Sequence, residues 1–133
     1  MRVVADASAL AAVAFQEPGF ETIAARLEGA TVCAPDLLKF ELANVAVTKA
    51  RKAPEQAVQI LAALHETLDR RSGIQWHAVN VTDVAVLARL TDLTAYDAAY
   101  LWLAGWLEAD LVTLDKRLIA ASQLDAGTSD YER

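Results

Sequence analysis

Short apolar runs recur along this chain with helical patterns between them, and that alternation limits the fold more than any single residue does. Arg2–Ala5 carries paired valines, the pattern of a strand buried on both faces, and ends at Asp6. Thr31–Ala34, Ile74–Val81 and Leu111–Leu114 read the same way. Between them lie Ala9–Gln16, stopped by Pro18-Gly19, and Phe20–Leu27, closed at Gly29. A long helix opens at Pro35-Asp36 and runs to about Arg51, with Leu38, Glu41, Val45 and Thr48 on one face. Another opens at Pro54-Glu55, carries an apolar stripe of Val58, Leu61, Leu64 and Leu68, and ends near Arg71. Thr82-Asp83 caps a helix to about Leu90, and Thr94 begins the next. Strands alternating with helices in this way predict an α/β fold with a parallel sheet and right-handed crossovers.

With 133 residues, 55% of them hydrophobic, the chain has material for one domain, 1–133, with a substantial core. The polar stretch 125–133 is expected to be a poorly ordered tail. A formal net charge of −6 argues against a general nucleic-acid coat, whose affinity comes from phosphate neutralisation, but not against a nucleic acid as substrate. The single cysteine, Cys33, excludes an intrachain disulfide and a thiolate zinc cluster and is expected to be a small buried hydrophobe. Asp6 interrupts what would be the apolar core of a signal peptide, and Asp97 interrupts the best candidate for a membrane span. A soluble, cytoplasmic protein with no membrane partner is expected.

Four acids stand out. In an open parallel sheet, ligands bind beyond the carboxyl ends of the strands, where both Asp6 and Asp115 fall. Each acid also has a purely structural explanation, since Asp6 or Ser8 can cap the following helix and Asp115 the helix that starts at Lys116. Asp97 completes a capping-box pattern with Thr94. Glu41 differs, because it sits mid-helix on an otherwise apolar stripe, where a carboxylate needs a basic side chain or a metal as partner. Taken together, clustered carboxylates repel one another, and a hard divalent cation with oxygen ligands relieves the repulsion. Mg²⁺ or Mn²⁺ fits such a set, and the chemistry it supports is attack of metal-activated water on a phosphodiester.

Four ordered motifs carry a family resemblance: Asp6-Ala-Ser8-Ala, Phe40-Glu-Leu-Ala-Asn44-Val, Leu93-Thr-x-Tyr96-Asp97-Ala-x-Tyr100-Leu and Leu111-Val-Thr113-Leu-Asp115-x-x-Leu118. In this order and over nearly the whole chain, they resemble the PIN-domain nucleases, and among these the VapC-type toxins of bacterial toxin–antitoxin pairs. The resemblance implies a PIN-like three-layer α/β fold: a parallel sheet of four strands, five if one forms near the C-terminus, flanked by helices. It makes Asp6, Glu41, Asp97 and Asp115 the catalytic, metal-holding acids, with Ser8 and Thr113 as supporting polar groups. It further implies Mg²⁺- or Mn²⁺-dependent cleavage of RNA, homodimerisation and a cognate antitoxin. The sequence departs from the family pattern at its end, where Asp125–Arg133 is polar in place of a further apolar strand.

Lys116 and Arg117, beside Asp115, are candidates to meet phosphate, and Lys49 and Arg51 form a second candidate RNA patch that their place as C-terminal charges favouring the helix dipole explains better. Trp102 and Trp106, four apart, are expected in the core or on a dimer surface rather than stacked on bases. His65 and His77 lack partners at ligand spacing. A haloacid-dehalogenase-type phosphatase is disfavoured because Ser8 stands where its second acid is needed, and a receiver domain because paired acids are missing at the start. The alternative from another class is a PIN-like module that is catalytically silent and acts only through protein binding.

Overall fold

The structure, a computed structural model, describes residues 1–124 in full and the backbone alone for 125–132. Four strands, β1 (Arg2–Ala5), β2 (Thr31–Pro35), β3 (Gln75–His77) and β4 (Asp110–Val112), form one parallel sheet in the order β3-β2-β1-β4. Val3 of β1 aligns with Val32 of β2 on one side and Asp110 of β4 on the other, and Ala34 of β2 aligns with Trp76 of β3. Helices connect the strands: α1 (Ala7–Ala14), α2 (Phe20–Leu27), α3 (Leu37–Lys52), α4 (Ala57–Leu68), α5 (Val81–Thr91) and α6 (Ala95–Leu107), with α7 (Lys116–Glu132) after β4. The fold is the expected α/β class. In place of a fifth strand near the C-terminus the backbone continues as α7 to Glu132, and the expectation of a tail over 125–133 falls on residues outside those fully described.

Topology places the helices. The path β1 to β2 to β3 advances in one direction along the sheet, and the step from β3 to β4 reverses it. With right-handed crossovers, α1 to α4 therefore cover one face and α5 and α6 the other. The adjacent strands β1 and β4 flank the point where the order reverses, which is where open α/β sheets bind ligands. The main core joins Val3, Val4 and Val112 of the sheet to Leu10, Leu38, Leu42, Tyr100, Leu103 and Leu118 of the helices. A smaller cluster of Val84, Ala88, Ala98 and Ala99 locks α5 onto α6. No helix among the described residues is long and apolar enough to cross a membrane.

Several elements depart from expectation. The strand expected over Ile74–Val81 stops at His77, because the Asn80 side chain accepts from the Asp83 amide and starts α5 at Val81; Asn80, and not Thr82-Asp83, is the cap. On α3 the buried stripe is Leu38, Leu42 and Ala46, while Thr48 is exposed and Glu41 lies at the edge of the stripe. On α4, Leu64 and Leu68 reach the core, but Val58 is 84% exposed and Leu61 is also outside it. That helix ends at Leu68 rather than near Arg71, where Asp69 starts a separate single turn, Arg70–Ser72, by accepting from the Arg71 amide.

Candidate active site

Asp6 follows β1 directly and is 5% exposed, so its carboxylate needs internal partners. Oδ1 accepts from the Ser8 hydroxyl at 2.7 Å and the Ala9 amide at 3.1 Å, and Oδ2 accepts from the Thr113 hydroxyl at 2.6 Å. Ser8 Oγ in turn accepts from the Leu114 amide, and Thr113 Oγ1 from the Asp115 amide. The first strand's end is thereby tied to that of β4 by side chains more than a hundred residues apart in sequence. Asp115 caps α7, its Oδ1 accepting from the amides of Arg117 at 2.9 Å and Leu118 at 3.2 Å.

The other two acids come from helices. Asp97 lies in the first turn of α6, where its amide donates to the Thr94 hydroxyl. Glu41 lies in the second turn of α3 and accepts a short hydrogen bond from the hydroxyl of Tyr100, which is buried on α6 one turn beyond Asp97. A basic side chain or a metal was the expected partner for Glu41; its hydrogen-bond partner among the described residues is a phenol and not a basic side chain. The nearest cation in sequence, Lys39, pairs instead with Asp36 at 3.2 Å and lies 4.5 Å from the centre of the Trp76 ring. A signal for Tyr100 exists in the sequence: a tyrosine one turn from an acid in an apolar helix must find a partner for its hydroxyl if it is buried.

The four acids act on one another electrostatically. Burial pushes the Asp6 carboxyl above its ordinary value, and the charge of Asp115 adds to this against the lowering by Thr113, Ser8 and Ala9. Glu41 is raised by burial, opposed by the Tyr100 bond, and raised further by Asp97 and Asp6. Asp97 is raised by burial and then by Asp115 and Asp6, with Thr94 and Arg117 pulling the other way. The Tyr100 phenol is pushed far upward by burial and by donating to Glu41, so it remains protonated.

This donor set suits a hard divalent cation in its chemistry, being all carboxylate oxygen with a surplus of negative charge. Among the described residues, however, no three His, Cys, Asp or Glu side chains are grouped closely enough to enclose a metal ion. Asp6 is already well supplied with donors, and additional ligation there must come from lone pairs its three hydrogen bonds leave over.

Cations near the edge differ in placement. Arg117 donates from Nη2 to the Asp92 carbonyl at 3.0 Å and lies close enough to Asp97 to lower its pKa. Lys116 opens α7 beside it. Lys49 pairs with Glu17 at 3.0 Å, and it and Arg51 lie eight and ten residues beyond Glu41, roughly 12 and 15 Å along α3. His65 is exposed and reaches Asp69 at 3.9 Å, while His77 has a buried Nε2 without a hydrogen-bond partner among the described residues. Trp102 and Trp106 stack at 5.4 Å with planes 10° apart, the second of them 72% exposed.

No curated protein matches the chain in sequence. Among solved structures, PAE2754 from Pyrobaculum aerophilum is similar with a TM-score of 0.72 and 26% identity, covering 92% of this chain and 88% of that one. Mycobacterium tuberculosis VapC20, described as a sarcin–ricin-loop-cleaving toxin, shares the fold with a TM-score of 0.63 and 16% identity over 90% of this chain and 94% of its own. The family model of the PIN domain matches residues 3–124, and the chain therefore belongs to the PIN-domain family.

Proposed function

We propose that the chain is a divalent-metal-dependent endoribonuclease of the VapC toxin type, hydrolysing RNA phosphodiester bonds and held in check by a cognate antitoxin. The observation that carries this reading is the set of four mutually repelling carboxylates at the carboxyl edge of a PIN fold, where the strand order reverses. Likeness in fold to a toxin that cleaves the sarcin–ricin loop supports RNA as the substrate class. Asp6, Glu41, Asp97 and Asp115 would hold Mg²⁺ or Mn²⁺, which when bound lowers the pKa of water and stabilises charge on the phosphate.

The chain's own groups have separate tasks in this reading. Ser8 and Thr113 hold the Asp6 carboxylate in one orientation. Arg117, anchored by the Asp92 carbonyl, places a cation beside Asp97 that can meet a substrate phosphate, and Lys116 extends that positive edge. Lys49 and Arg51 are far enough along α3 to contact only more distant nucleotides. The exposed Trp106 supports a homodimer through the outer surface of α5 and α6.

The catalytically silent alternative draws on one observation, that no three acids are grouped around a single point among the described residues. One experiment separates the readings. Purified chain, free of antitoxin, is expected to cleave RNA with Mg²⁺ or Mn²⁺, to stop in chelator, and to lose at least about a hundredfold in rate as Asp97→Asn. Cleavage that survives either change excludes the metal-nuclease reading; folded wild type without any cleavage favours the silent module.

A further inference from the structure

We propose that Tyr100 is a positioning residue: its phenol fixes the Glu41 carboxylate at the acidic edge and joins the two helices that carry Glu41 and Asp97. The inference rests on the nuclease reading above and adds to it a residue acting through Glu41. Tyr100 is 1% exposed, its ring packed into the main core with Leu38, Leu42 and Leu103. Its hydroxyl is therefore a fixed point. Glu41, by contrast, has three rotatable bonds and is only half-buried. Among the described residues the phenol is the only hydrogen-bond donor to the Glu41 carboxylate. Such a bond selects one rotamer from several, as the outer-shell partners of metal-binding carboxylates do.

The choice of a phenol matters. An ammonium or guanidinium in the same place would orient the carboxylate but cancel its charge, whereas the neutral hydroxyl engages Oε1 and leaves the negative charge to a cation. Because Tyr100 lies three residues after Asp97, the same turn of α6 sets the spacing between the two acids.

The test is a double-mutant cycle on the metal-free full chain, titrated with Mn²⁺ in a calorimeter, with circular dichroism and thermal melting to establish folding. Tyr100→Phe keeps the ring and removes only the hydroxyl. It is expected to weaken Mn²⁺ binding by about tenfold or more, but to change it by less than about twofold in a Glu41→Gln background. Glu41→Asp keeps the charge while shortening the reach to the phenol, and a similar loss is expected. Unchanged Mn²⁺ affinity in Tyr100→Phe or in Glu41→Asp, or an equal loss in both backgrounds, overturns the proposal while leaving the nuclease reading intact. A wild-type chain that neither takes up Mn²⁺ nor cleaves RNA overturns the nuclease reading, and this inference with it.

Discussion

At the scale of single residues, Asp6, Glu41 and Asp97 all hold their protons more tightly in the folded chain than in an unfolded one, chiefly because burial disfavours the charge. A carboxyl whose folded pKa is raised contributes stability that is fully present below the unfolded value and lost as pH rises through the folded one. The loss therefore begins at the ordinary values, 3.8 for Asp and 4.5 for Glu, and continues upward to the raised ones. Asp69, held low by Arg71, has the opposite sign, but its contribution disappears only below 3.8 and so outside that window. Metal-free protein is accordingly expected to melt at progressively lower temperature as pH rises from about 4.5 towards neutrality, the direction these raised carboxyls set. Glu41→Gln should flatten this dependence, and saturating Mn²⁺ should oppose it by binding only the folded state. A melting temperature that is level or rises across the range would show that these carboxyls are not strained in solution. Glu41 was also the acid most open to sequence reasoning, since a carboxylate on a mostly apolar face demands a partner. Its identity as Tyr100 was not, because the two residues are 59 apart and meet only once α3 and α6 are packed.

At the scale of elements, the helix caps and the candidate site prove to be the same groups. Asp6 and Asp115 each accept from amides in the first turn of the helix they precede, so each is a cap, and the metal-holding role proposed for it does not compete with that. Substitution can separate them. Asn caps a helix about as well as Asp, so Asp115→Asn is expected to stay within about 0.5 kcal/mol of wild type in chemical denaturation, whereas Asp115→Ala loses about 1 kcal/mol. Both are expected to abolish cleavage. Near-wild-type cleavage by a stable Asp115→Asn would reduce Asp115 to a cap. Boundaries were less open than element types: β3 is short because Asn80 takes the Asp83 amide, a local competition that the alternating apolar residues through Val81 conceal. On α4 the stripe pattern overstated burial, because the helix packs mainly on α3 and offers Val58 no neighbouring layer.

At the scale of the whole molecule, the sequence implied that Asp6 and Asp115 both lie beyond strand ends, but not that those strands are neighbours. Adjacency follows from the order β3-β2-β1-β4, in which the last strand returns past two others to pair with the first, and periodicity carries no record of such a long-range choice. The same return brings α5 and α6 onto one face and, among the described residues, leaves their outer surface uncovered. There Leu90 is 78% exposed, Trp106 72% and Val86 55%, while Trp102 and Trp106 share a groove with Leu87 and Gly105. An apolar surface of this kind on an otherwise acidic molecule is more consistent with a protein interface than with bulk water. A second copy of the chain, meeting it through α5 and α6, would cover the exposed Trp106 ring, and a large aromatic at such a contact carries a disproportionate share of the binding energy. Sedimentation velocity is therefore expected to find a dimer at micromolar concentration, and Trp106→Glu a monomer, because a carboxylate buried against its own copy lacks a partner. The substitution is on the surface, so the variant's melting temperature at low protein concentration should lie within about 2 °C of wild type. A wild type that sediments as a monomer, or a Trp106→Glu variant that still dimerises, would place the interface elsewhere or remove it.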